Sequence, residues 1–152
     1  MKNILITGGP VHAYLDAVKT ISNKFKGGLM AKLARQLCDG RDVTAHYIFA
    51  PDMGAVFPEN SPENYVPLYL HEHEGFKDYE RLVLELAPRM DAVILGAAVA
   101  NLIPVKPFKG EFPSHNYKPG DIIPIDFTIA PRIIDKVKKV APKTHLFGFK
   151  LL

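Results

Sequence analysis

Apolar and polar residues fall along this chain in blocks whose period switches repeatedly between that of a strand and that of a helix. Asn3–Thr7 is a short apolar run that ends on the paired glycines Gly8 and Gly9, and it predicts a strand. Gly28–Asp39 carries Leu29, Leu33 and Leu37 at four-residue spacing, with Gly40 where a stop belongs, and predicts a helix. Asp42–Phe49 is rich in β-branched and aromatic residues and predicts a second strand. Ala50–Glu63 holds three prolines and no period, so it is expected to be loop. Val66–His71 predicts a third strand, and Phe76–Leu86 a helix with Tyr79, Leu82, Val83 and Leu86 as its apolar stripe. Asp91–Ala98 is a nearly continuous apolar run, as expected of a central parallel strand covered on both faces. Pro104–Gly120 is irregular, Ile122–Phe127 extended, and Pro131–Val140 a helix with proline in its first turn. His145–Leu151 closes the series as a strand.

This alternation predicts an α/β fold with a mostly parallel central sheet, and no linker or repeat divides residues 1–152, so one domain is expected. Ligands of such sheets bind beyond the carboxyl ends of the central strands. Here those ends are the Gly8–Gly9 loop, the Ala97–Asn101 loop and the residues after Phe149.

Composition narrows the classes. The 152 residues are 47% hydrophobic and 23% charged with net charge +3, which suits a globular protein with an anionic small-molecule ligand. Basic residues are dispersed apart from Lys136, Lys138 and Lys139, read as a solvated helix face rather than a nucleic-acid patch. The single cysteine, Cys38, excludes an internal disulfide and is expected to pack as a thiol in a reducing, cytoplasmic setting. No apolar run reaches membrane-spanning length, so neither a membrane nor a nucleic acid is an expected partner.

Two glycine pairs carry the candidate chemistry. Gly8–Gly9 follows a strand and Gly27–Gly28 opens a helix, and the two are expected to face each other across a crevice. There, backbone N–H groups and the helix dipole favour phosphate, with Lys24 and Lys26 alongside. The alternative is that both pairs only permit turns. No G-x-G-x-x-G follows the strand and no Tyr-x-x-x-Lys occurs, which argues against a dinucleotide reductase. Asn23 offers two donors and an acceptor for a polarised carbonyl, although spacing alone favours a capping role. The small residues Ala97–Asn101 either make room for a flat ligand or let a helix pack closely. His71 and His73 with Glu72 and Glu74 lack a third ligand of set geometry, so no metal site is expected there.

Taken in order, these residues resemble phosphopantothenate–cysteine ligase, an enzyme family of coenzyme A biosynthesis. The matching pieces are ITGG at Ile6–Gly9, Asp16-Ala17-Val18-Lys19, ISN at Ile21–Asn23, Gly27 and Leu33-Ala34. They continue with Val43-Thr44, GAAVAN at Gly96–Asn101, PRII at Pro131–Ile134 and FGFKL at Phe147–Leu151. The resemblance implies a Rossmann-like, three-layer nucleotide-binding fold and CTP or ATP as co-substrate with Mg²⁺. The substrates it implies are 4′-phosphopantothenate and cysteine, and it points to a homodimer. The nucleotide activates the substrate carboxylate as an acyl-nucleotide, which the cysteine amine then attacks. Carried over, Asn23 contacts that intermediate, and Lys109 or Lys106 substitutes from the loop for the expected lysine, with Asn23 and Lys109 the catalytic candidates. Gly8, Gly9, Lys26 and Gly27 lie at the phosphates, Ala97, Ala98 and Asn101 along the nucleotide, Ser114 in the loop beyond and Phe149 beside it. Departures from the family pattern are Pro10 for threonine, Met30 where glycine is common, Asn101 for aspartate and Glu111 at the triphosphate lysine. The family also continues beyond FGFKL, so the resemblance implies a version short at its C-terminus. A shortened homologue that binds nucleotide or a phosphorylated pantetheine-like ligand without ligating is the alternative.

Overall fold

The computed structural model describes residues 1–39, 42–59 and 67–149. Five parallel strands form its sheet: β1 (Lys2–Thr7), β2 (Val43–Phe49), β3 (Leu68–Glu72), β4 (Ala92–Leu95) and β5 (His145–Gly148). Their spatial order is β5–β4–β1–β2–β3, with β1 in the centre. The chain steps outward from β1 to β3, crosses back to the other side of β1, and steps outward again. The order therefore reverses between β1 and β4, the switch point at which open α/β sheets form a crevice.

Alternation along the strands divides the core between three helices. Leu5, Ile48 and Val93 face α2 (Phe76–Leu86) and α3 (Ile133–Val140), where Tyr79, Val83 and Val137 are buried against them. Ile6, Tyr47 and Phe49 face α1 (Gly28–Cys38) on the opposite side. The result is the expected α/β arrangement of helix, sheet and helix layers. Cys38 is packed, and burial pushes its thiol up from its usual range.

Several expectations are corrected. The buried face of α1 is Met30, Ala31, Ala34 and Cys38, not the leucine repeat; Leu29 is 72% exposed. Small alanines let the helix approach β1 and β2 closely, and leucines at four-residue spacing drift off the contact line. The apolar run from Asp91 breaks at Gly96–Ala97 and resumes as Ala98–Val99, which pairs in parallel with Pro10–Val11. Residues 121–126 are irregular, and extended structure begins only at Phe127, where Phe127–Ile129 pairs antiparallel with Leu102–Pro104. Pro131 precedes α3, whose N-cap position is Arg132. The expected loop after β2 opens with a 3-10 turn at Pro51–Met53. Gly40, Val66 and the closing residues 150–152 lie outside the described residues.

Candidate functional site

Thr7 ends β1 between the two strands that flank the switch point. It is fully buried, and its Oγ1 lies 3.0 Å from the Tyr79 hydroxyl and accepts from the Ala97 amide at 3.3 Å. Beyond it the two segments stay paired in one register, Thr7 opposite Leu95 and Pro10 opposite Ala98. Gly96 N–H donates to the Thr7 carbonyl, and Ala98 N–H donates to the Gly9 carbonyl at 2.9 Å. Met30, which is 5% exposed, packs against both Gly8 and Gly96. A methyl group on Gly96 would lie 2.1 Å from Met30 Sδ, and one on Gly8 1.9 Å from the Tyr47 hydroxyl. A side chain at Gly8 or Gly96 would therefore force Met30 or Tyr47 to move, while the helix start itself at Gly28 is uncrowded.

The two glycine pairs do not face each other across open space. Gly27 lies directly on Gly9: a methyl group on Gly27 would stand 2.2 Å from the Gly9 amide nitrogen, and both residues have positive φ, +84° and +77°. This contact brings the N-terminus of α1 against the end of β1. Gly27 is the N-cap and carries no side-chain cap, and no acidic residue occupies the first turn of α1. Gly8 N–H is engaged by the Ile48 carbonyl and both Gly8 and Gly9 are buried, so the amides left for an anion are those of the exposed first turn of α1, Gly28 and Leu29. A methyl group on Gly28 would meet nothing within 4 Å, so its first-turn amide is approachable.

The other candidates divide by position. Ala97 and Ala98 are half-buried where the chain after β4 runs beside Gly9 and Pro10. Asn23 follows the Thr20–Ile21 ladder strand as an exposed residue and caps no helix, since the N-cap of α1 lies four residues later; the capping expectation fails. Lys26 turns away from the glycines, its Nζ donating to the Met53 carbonyl at 2.8 Å. Phe149 is 60% exposed and lies across an apolar groove of about 310 Å³ lined also by Leu29, Met30, Leu33 and the stems of Lys32 and Gln36. Asn101 is exposed, its carbonyl accepting from the Ala130 amide. Lys109 and Ser114 sit on the exposed loop that runs from Phe108 to the 3-10 turn Ser114–Asn116.

Two features escaped sequence reading. His71 and His73 separate: His71 Nε2 lies 3.0 Å from His46 Nδ1 across β2 and β3, while His73 stacks on His12 at 6.1 Å. Asp16, noted only as part of a motif, is a buried hub between two loops. A usable signal for it was the aspartate two and three residues before amides in a tight turn, the Asx pattern.

The sequence profile of the DNA/pantothenate metabolism flavoprotein C-terminal domain matches residues 1–151. The chain belongs to this family. A curated member, the coenzyme A biosynthesis bifunctional protein CoaBC of Thermococcus kodakarensis, is 26% identical over 98% of the chain. The chain spans 34% of that protein's length. Among solved structures, the DNA/pantothenate metabolism flavoprotein from Streptococcus pneumoniae superposes with TM-score 0.78 at 24% identity, covering 100% of this chain and 70% of that one. A Cab2 variant in complex with phosphopantothenate-cysteine gives TM-score 0.76 at 14% identity, over 95% of this chain and 62% of that one. The C-terminal domain of a CoaBC protein gives 0.66 at 21% identity, over 97% and 62%. These likenesses establish the fold of the flavoprotein C-terminal domain for this chain.

Against that family pattern, Glu111 is 68% exposed and its Oε1 lies 3.6 Å from Lys19 Nζ. Lys19 is held charged, first by its hydrogen bond to Asp16 and further by Glu111. Glu111 is thus partly compensated by a cation from the facing hairpin. Replacing Glu111 by lysine is expected to tighten binding of a nucleoside triphosphate about tenfold at low salt, and less at high salt, as fits an exposed charge. Equilibrium titration of the variant checks this; unchanged affinity would remove Glu111 from the triphosphate path. Among the described residues no group of three or more His, Cys, Asp or Glu side chains lies together to hold a metal ion.

Proposed function

We propose that this chain is a nucleotide-dependent ligase domain that joins 4′-phosphopantothenate to cysteine. The observation that carries the reading is the contact of Gly27 on Gly9 at the switch point, beside an uncapped helix start, in a chain of this family. Such a junction suits the phosphates of a nucleotide. In the first half-reaction a carboxylate oxygen of the acid attacks the α-phosphorus of CTP or ATP, forming an acyl-nucleotide and releasing pyrophosphate. In the second, the cysteine amine attacks the acyl carbon, the C–N bond forms, and the nucleoside monophosphate leaves.

Gly8, Gly9 and Gly27 take the phosphates, Ala97 and Ala98 lie along the nucleotide, and Phe149 offers an aromatic face beside it. Asn23 donates to the acyl carbonyl, where stabilising developing negative charge lowers the barrier. Lys109 and Ser114 act from the Phe108–Ser114 loop, and a homodimer is the proposed assembly. The curated relative's name and the Cab2 complex with phosphopantothenate-cysteine support the choice of acid and amine.

A second reading is favoured by Glu111 and Asn101. A homologue that binds nucleotide or a phosphorylated pantetheine-like ligand without ligating would tolerate both. One assay separates the two. The protein mixed with CTP or ATP, 4′-phosphopantothenate and Mg²⁺ is expected to release pyrophosphate, and Asn23→Ala is expected to slow that release about a hundredfold. Nucleotide binding with no pyrophosphate from the wild type would leave only the binding reading.

A further inference from the structure

We infer that Asp16 is a positioning residue for the ligation proposed above, locking the hairpin that leads into Asn23 against the loop that carries Lys109 and Ser114. The inference rests on that reading of the site. The Asp16 side chain has no solvent exposure, and both its oxygens are fully engaged. Oδ1 accepts from the amides of Val18 at 2.8 Å and Lys19 at 2.6 Å. Oδ2 accepts from the Phe112 amide at 2.8 Å and from Lys19 Nζ at 3.1 Å. The first pair folds the turn between Ala13–Tyr14 and Thr20–Ile21; the Phe112 bond reaches a residue 96 positions away.

Backbone bonds run beside it in the same register. Phe108 N–H donates to the Leu15 carbonyl at 2.9 Å, and Ala17 N–H donates to the Gly110 carbonyl at 3.0 Å. Lys109 lies between these two anchor points, and Ser114 lies two residues after the third. On the other side, Asn23 follows Lys19 by four residues.

Apolar packing does not do this job, because Val18 is 67% exposed and Tyr14 43% exposed. The relative placement of the two loops rests on polar contacts: Asp16 hydrogen-bonds the backbone of both, and Lys19 adds only an exposed ion pair to Glu111 at 3.6 Å. Its acceptor-only, ionised form is what three amides and an ammonium require; hydrogen bonds from the Phe112 and Lys19 amides hold its carboxyl well below the usual carboxylate range. An asparagine would present N–H donors to at least one of those donors.

Reacting groups displaced by about 1 Å lose on the order of a hundredfold in rate. The test compares wild type, Asp16→Asn and Phe112→Pro, the last removing the loop amide while leaving the hairpin intact. Pyrophosphate release is measured well below each melting temperature, with kcat and KM separated. Both variants are expected to keep the nucleotide KM within about threefold while kcat falls about a hundredfold. When Lys109→Ala is combined with Asp16→Asn, the two losses are expected not to multiply, because Asp16 acts through the loop that bears Lys109. Loss of a merely structural contact would instead lower the melting temperature and multiply with Lys109→Ala. Multiplying losses, or variants within threefold of an active wild type in kcat, would overturn the inference and leave the ligase reading standing. A wild type that releases no pyrophosphate overturns the ligase reading and this inference with it.

Discussion

Gly27→Ala is expected to lower the stability of the protein by about 3 kcal/mol and to abolish nucleotide binding. The left-handed backbone at φ +84° costs a side-chain-bearing residue about 1–2 kcal/mol. The added carbon would also stand 2.2 Å from the Gly9 nitrogen and 2.7 Å from its Cα, so backbone rather than a flexible side chain must give way. Forced repacking of that kind costs about 1–3 kcal/mol. The displaced segment is the one joining the end of β1 to the start of α1, so the anion site opens along with it. Gly28→Ala is the control: nothing lies within 4 Å and its backbone is ordinary helix, so stability is expected to hold or rise. Urea denaturation and nucleotide titration of the two variants check this. A Gly27→Ala protein within 1 kcal/mol of wild type would mean the two loops do not touch as described.

The protein is expected to lose stability steeply as the pH falls from 6.5 to 4, before its buried carboxylates titrate. Four of its six histidines are arranged in two pairs, His46 with His71 and His12 with His73. Burial lowers all four below their usual range, and His73 falls to about 4. Arg89 further lowers His46 and His71, while Asp52 and Asp78 only partly oppose the effect at His12 and His73. His73 Nδ1 accepts from the Gly75 amide, so protonation there also breaks a bond that sets the start of α2. His12 Nδ1 and His73 Nε2 are buried without a partner, which leaves no compensation for a charge.

The sign follows from linkage. Each group binds its proton more weakly when folded, so stability is full above pH 6.5 and falls as the unfolded chain takes up protons. For His73 alone the gap between 6.5 and about 4 is worth about 3 kcal/mol, at about 1.4 kcal/mol for each tenfold change. Asp16 and Asp78 are held below the usual carboxylate range, so their contributions are lost only at lower pH. Unfolding measured at pH 7.5, 6.5, 5.5 and 4.5 checks the window, and His73→Gln is expected to flatten it by about 3 kcal/mol. Constant stability from pH 7.5 to 4.5 would contradict the buried, neutral pairs.

Local signals were legible wherever neighbours in sequence decide the structure. The helix Phe76–Leu86 follows from its stripe because Tyr79, Val83 and Leu86 bury against one continuous face of the sheet. The glycine loops after β1 and before α1 were readable too, since only glycine suits those backbones. What stayed hidden depends on partners distant in sequence. The face that α1 buries is chosen by close approach to β2, so alanines win over more hydrophobic leucines. Gly27 was readable as a turn residue but not as a contact of Gly9, which lies 18 positions earlier. Asp16 meets Phe112 across 96 positions, and nothing in the spacing of either residue announces it. His71 and His73 share a face, as alternation requires, but their partners come from β2 and from the chain after β1. The order of strands, with its reversal between β1 and β4, likewise had to be seen.

The central claim is a place: phosphates bind where β1, β4 and the start of α1 meet. The chain has eleven glycines spread along its length, so selective ¹⁵N-glycine labelling samples this place and its surroundings together. Titration with CTP or ATP, then with 4′-phosphopantothenate, is expected to shift the amide signals of Gly8, Gly9, Gly27, Gly28 and Gly96. Those of Gly75 and Gly120 are expected to stay within a line width. Shifts confined to the second group, or none in the first at millimolar nucleotide, would contradict the account.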